Sequence, residues 1–164
     1  EEPLTSPLSY QTMVGAYVLS SAFRGLIVAV LVAIIGAFFT PVGVAHIGYL
    51  LSFGVVITLL FASLGVAGGL WADDFDDLTM MNQFILRPLV FFGGVFYSLN
   101  ELPPLLQQVS LVNPMIYMVN GVRFGFLGVS EVDPGLSLLI LTVMTLAVVA
   151  GDIILFQRGY GLAD

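Results

Sequence analysis

The sequence has no lysine, no cysteine, a single histidine and only 9% charged residues. Each shortage excludes something. Soluble domains carry about a quarter charged residues, so water is not the solvent for most of this surface. Without lysine, no P-loop can place an ammonium group on a nucleotide's phosphates. A nucleic-acid surface needs clustered basic charge, and the four basic residues, Arg24, Arg87, Arg123 and Arg158, are scattered. The lack of cysteine removes any disulfide framework or thiolate metal site. His46 stands between apolar runs without the neighbours that a metal site or a Ser-His couple requires. An intramembrane aspartyl protease needs two facing aspartates, and only Asp152 falls within an apolar span. Neither catalysis nor a cofactor bound by this chain is expected.

What is present is apolar length. The 164 residues are 59% hydrophobic, with a mean hydropathy of +1.05, and divide into runs that match a bilayer. A hydrocarbon core of about 30 Å takes roughly 20 helical residues. Residues 12–39, 47–71, 79–99 and 135–157 each supply that length, so the fold class is all-α, a polytopic membrane bundle of four transmembrane helices. The start, Glu1-Glu2-Pro3-Leu4-Thr5-Ser6-Pro7, lacks an initiating Met and the basic region of a signal peptide. It reads as the interior of a longer protein. Within the spans, Gly65 and Gly69 stand four apart, a spacing that permits close helix contact.

Three ionisable residues fall inside spans. Counting back from Phe39 places Arg24 about 8 Å inside one face of the core, within snorkelling reach. Arg87 lies deeper and needs a partner or a wet cavity. It precedes Pro88, which is expected to kink the third span and pull Arg87 off helical geometry. Asp152, near the end of the last span, either pairs close to the interface or acts within the bundle.

Residues 73–128 carry the densest information. Asp73-Asp74-Phe75-Asp76-Asp77 reads as a water-facing turn with Asp76 or Asp77 capping the helix that follows. Its spacing is not that of a calcium loop. Pro103-Pro104 opens a short amphipathic piece suited to a membrane surface, and Asn113-Pro114 ends it. Residues 115–129 are apolar but too short to cross. Paired, 101–129 would enter the membrane partway and return.

The same block resembles the permease subunits of ABC-2 type exporters. The resemblance rests on Phe75-Asp76-Asp77, Pro88-Leu89, Gly93-Gly94-Val95-Phe96-Tyr97-Ser98-Leu99, Leu102-Pro103, Asn113-Pro114, Tyr117, and Arg123 leading to Phe126-Leu127-Gly128, in that order. The Glu1 to Pro7 segment is similar to that family's cytoplasmic coupling helix, and Gln157-Arg158-Gly159 to its C-terminal close. The resemblance implies a dimer of permease copies in a prokaryotic cytoplasmic (inner) membrane, with a separate ABC nucleotide-binding subunit holding ATP-Mg and no cofactor on this chain. It further implies export of a lipid, glycan or drug-like substrate, ATPase coupling through Glu1, Glu2, Leu4, Pro7, Asp76 and Asp77, and an extracellular re-entrant gate carrying Pro103, Asn113, Pro114, Tyr117 and Arg123. Arg87 stands where the family commonly has a small or uncharged residue. Two other readings remain open: an ion-coupled transporter using Arg24, Arg87 and Asp152, and a non-transporting membrane assembly protein.

Overall fold

A computed structural model describes residues 9–159 of the chain. Glu1, Glu2, Leu4 and Pro7 therefore lie outside the described residues. Four helices are long and apolar enough to cross a membrane: α1 (Tyr10–Phe39), α2 (Ile47–Trp71), α3 (Phe75–Val95) and α6 (Pro134–Gln157). Between the last two lie short helices α4 (Pro104–Ser110) and α5 (Pro114–Leu127).

Local chemistry sets the boundaries. Ser9 caps α1 by accepting from the Thr12 N–H, so Tyr10 and Gln11, ahead of the expected start at 12, belong to the first span. Thr40 is extended and Pro41 follows it, which closes that helix. Asp74 caps α3 through Oδ1, which accepts from Asp76 N at 2.9 Å and Asp77 N at 3.0 Å. The expected cap on Asp76 or Asp77 is thus displaced to Asp74, and the two acids occupy the first helical turn, where their charge suits the helix dipole. Consequently α3 begins four residues before the expected position 79.

Pro88 does not pull Arg87 out of helical geometry. Arg87 has φ −61° and ψ −48°, because a π turn over Asn82–Leu86 widens the helix just before the proline ring. The Arg87 N–H reaches back five residues to the Asn82 carbonyl. The true break comes at Gly94, with φ 81°, a left-handed backbone that glycine adopts without a Cβ clash. That ends α3 at Val95 instead of 99.

Helix α2 is the hub, with α1, α5 and α6 packed around it. Phe53 and Leu60 on α2 and Leu141 on α6 are fully buried. The C-terminal half of α1 stays exposed, with Phe38 and Phe39 both at 84%, an apolar surface fit for lipid. In hydrocarbon, helices gain little from hiding apolar area, so close packing has to hold them. That closeness comes from Gly121 and Gly125 on α5. A Cβ on Gly121 would lie 2.2 Å from the Phe53 ring, and one on Gly125 would lie 2.9 Å from the Leu50 backbone. The pair Gly65 and Gly69, whose spacing permits such a contact, has no neighbour within 4 Å of either Cβ position; both line an open groove with Tyr17 and Ser21 of α1 and Phe156 of α6.

Gly121→Ala is expected to destabilise the bundle by about 1–3 kcal/mol through overpacking against Phe53. Gly65→Ala should be neutral or slightly stabilising, since alanine is the better helix former. Thermal unfolding in detergent measures both, and equal losses would show that the α2–α5 approach is not the tight one.

Candidate functional site

Helix α5 lies antiparallel to α2 and covers half of it. Its last turns reach the start of α2, where Gly125 abuts Leu50, and Gly121 abuts Phe53 one turn along. Its first turn reaches the middle of α2, where Met115 and Met118 pack with Leu60. The loop joining α1 to α2 covers the end of α5: Ala45 N and His46 N donate to the carbonyls of Phe126 and Gly125 at 3.2 and 3.0 Å. These carbonyls have no intrahelical partner. The His46 ring stacks on Phe124 at 4.4 Å between centroids, so the lone histidine closes a helix end. Gly128, left-handed at φ 71°, then turns the chain back.

The returning segment and the broken end of α3 meet on α5. At α3's end, two backbone carbonyls receive side-chain donors from α5 and its cap, while a third, that of Phe92, receives the Tyr97 hydroxyl. Arg123 Nη2 donates to the Gly94 carbonyl at 2.8 Å, and Asn113 Nδ2 donates to the Leu89 carbonyl at 2.8 Å. Glu131 answers from the other side. Its carboxylate accepts from Ser98 Oγ and from Leu99 N at 2.8 Å, and it faces Arg123 Nη1 at 3.8 Å. Asn120, 3% exposed, holds the return loop: Oδ1 accepts from Glu131 N at 2.7 Å and Val132 N at 3.3 Å, while Nδ2 donates to the Val132 carbonyl at 2.7 Å.

Magnitudes decide what this tie does. The Arg123–Glu131 pair is partly exposed, and such a pair is worth roughly 0–1 kcal/mol. Leaving a buried backbone group unmatched costs about 1–3 kcal/mol each. Satisfying the backbone at the break therefore outweighs the charge attraction.

The remaining expected gate residues shape the approach to this tie. Asn113 Oδ1 accepts from Met115 N at 3.0 Å, making it the cap of α5, and Pro114 follows at the first helical position. The dipeptide thus starts a helix as well as ending the preceding piece. Tyr117 donates its hydroxyl to the Leu111 carbonyl at 2.7 Å, and Pro103 precedes α4. Leu105, Leu106, Val109 and Val112 are exposed, an apolar edge of the kind expected of a surface helix. Glu131, Asn120 and Ser98 were not among the expected site residues. An asparagine inside an apolar helix was a signal, but the eight-residue gap from Arg123 to Glu131 crosses a glycine turn that no helical periodicity bridges.

Beside this tie runs an open, apolar groove of about 750 Å³, walled by Ala33, Gly36 and Ala37 of α1, Ile57 and Phe61 of α2, and Met115, Met118 and Val122 of α5. Arg123 is its one charged lining residue.

The intramembrane polar residues are not brought together. Gly25 faces Thr58, which puts the exposed Arg24 level with the middle of α2. Arg87 is exposed on α3. Asp152 is 1% exposed on the inward stripe of α6 with Ser137, Leu141, Thr145 and Phe156, and neither of its oxygens has a hydrogen-bond partner among the described residues. It pairs with neither arginine and sits inside the bundle. At the end of the bundle away from the tie, Asp77 Oδ2 accepts from Asp73 N at 3.1 Å, while Asp76 is exposed. Among the described residues no three potential metal ligands converge.

Asn120→Ala should unmatch three backbone groups and cost about 2–4 kcal/mol. Amide exchange of residues 129–133 is expected to accelerate at least tenfold, with α1 unchanged. Exchange that rises everywhere alike would mean that Asn120 does not act locally.

The family model for the ABC-2 type transporter matches residues 1–127. The inner membrane transport permease YadH of Escherichia coli K12 is 39% identical over 163 residues, 99% of this chain and 63% of that protein; YadH of Shigella flexneri gives the same values. The chain thus spans less than two thirds of the length of these curated relatives. No solved structure matches it. With a family match over most of its length and a relative aligned across nearly all of it, this four-span chain belongs to the ABC-2 type transporter family.

Proposed function

We propose that the chain is the membrane-spanning permease part of an ATP-driven exporter in a prokaryotic inner membrane. It moves a lipid, glycan or drug-like substrate outward, with ATP-Mg hydrolysed by a separate nucleotide-binding subunit and a second permease copy beside it. Family membership and the relatives' description as inner membrane transport permeases support this reading. The observation that carries it is α5, a helix that covers only half the depth of α2 and is tied by Arg123, Glu131 and Asn120 to the broken end of α3. A scaffold has no need of polar groups at that depth, where each is costly unless matched. A gate needs two packed elements that move as one.

In this reading residues 101–129 form the outer re-entrant gate, with Pro103, Asn113, Pro114, Tyr117 and Arg123 shaping it and Glu131 locking it. ATPase coupling on the cytoplasmic side is assigned to Glu1, Glu2, Leu4, Pro7 and the exposed Asp76, while Asp77 holds the turn between α2 and α3. ATP-driven closure of the partner pushes on that end and tilts α1 to α3, and the apolar groove beside α5 opens or narrows with the tilt.

One observation favours the ion-coupled alternative, the unpartnered Asp152 inside the bundle. The two readings separate in reconstituted vesicles. The full-length protein is expected to co-purify with a nucleotide-binding subunit whose ATPase activity its substrate stimulates, and Asp152→Asn should leave that stimulation within about twofold. Failure to associate with any such subunit sinks the exporter reading, and uptake driven by a pH gradient alone, lost in Asp152→Asn, would replace it.

A further inference from the structure

Arg87 lies twelve residues into α3, about 18 Å from its start and about 12 Å from Val95, which is the middle of a hydrocarbon core of about 30 Å. Its side chain is exposed. Arg123 has a carbonyl and a carboxylate, but Arg87 has no ion-pair partner among the described residues. A guanidinium at that depth requires an answering anion or a wet cavity. The one acid within the described spans' interior is Asp152, enclosed at 1% exposure on α6, and a second copy would enclose its own in the same way. The answering charge comes from outside the described residues.

The π turn adds a second group. By bonding the Arg87 N–H to the Asn82 carbonyl, five residues back, it stacks Asn82 beneath Arg87. The two line one shallow groove of about 230 Å³, whose other walls are Leu86, Val90, Phe91 and Phe96. A planar five-donor guanidinium beside an amide donor suits a bidentate oxyanion, and the four apolar neighbours suit hydrocarbon.

We propose that Arg87 and Asn82 recognise the anionic group, phosphate or carboxylate, of the exported amphiphile as it passes the exposed face of α3. This inference rests on the exporter reading and narrows its substrate to an anionic amphiphile. Because Arg87 stands on a π turn rather than on a regular helix, the geometry that presents Asn82 with it depends on Pro88 remaining in place.

The test uses the full-length protein with its ATPase subunit in nanodiscs of zwitterionic lipid, and dodecyl phosphate carrying a photoreactive diazirine as the probe. Mass spectrometry is expected to find the probe on residues 82–96. Labelling should fall at least tenfold in Arg87→Gln and severalfold in Asn82→Ala, and persist in Arg87→Lys. The diazirine analogue of dodecyltrimethylammonium should not label this segment. Equal labelling by the cationic probe, or unchanged labelling in Arg87→Gln, overturns the proposal. So does absence of labelling in the wild type, which would assign Arg87 to an acidic side chain elsewhere in the protein. Displacement of the probe by added phosphatidylglycerol would make the groove a bulk-lipid site and also overturn it. Co-purification of the ATPase subunit reports separately on the exporter reading and shows that each variant is folded.

Discussion

Gly94 turns α3 out of its helix where α5 packs against it, and the backbone that the break exposes has to find donors, since an unmatched buried group costs about 1–3 kcal/mol. Arg123 and Asn113 meet that requirement from α5 and its cap. Their placement in turn requires α5 to lie against α3, and Glu131 and Asn120 fasten the return loop to the same point. The half-depth helix, the broken span and the polar tie are therefore one solution to one constraint.

That solution depends on how near α5 can come to α2. Gly121 and Gly125 remove the side chains that would hold the helices apart, so Phe53 packs on bare backbone. Without a hydrophobic drive in lipid, such close contact is the main source of helix association. At Gly65 and Gly69 the approach is looser, leaving a groove between α2 and residues Tyr17, Ser21 and Phe156, and the C-terminal half of α1 is exposed. The fold is thus tightest where α5 meets α2, and the apolar groove lies between α5 and the exposed half of α1.

The number and class of elements were legible because apolar length is a one-dimensional property. The span at 47–71 coincides with α2, and the others differ by a few residues where a cap or a glycine intervenes. The expected gate residues Asn113 and Arg123 do meet the end of α3. The partners that complete the tie were not legible, since Ser98, Asn120 and Glu131 come from three separate segments and their pairing follows no period of helix or strand. The proline at 88 misled in a specific way. A proline demands relief of its clash with the preceding turn, and the chain met that demand with a π turn that keeps Arg87 in helical geometry.

By itself, then, the sequence determined that this chain carries four apolar spans, and it carried the motifs of its family. These follow from composition and linear order, which the bilayer reads directly through helix length and charge cost. Only the tertiary structure decided which glycines make the close contact, that Asp152 points inward while Arg87 points outward, and that Glu131 rather than a span residue closes the tie at Gly94. Each of those depends on the rotation of one helix against another, and small residues, π turns and left-handed glycines change that rotation without leaving a repeat in the sequence.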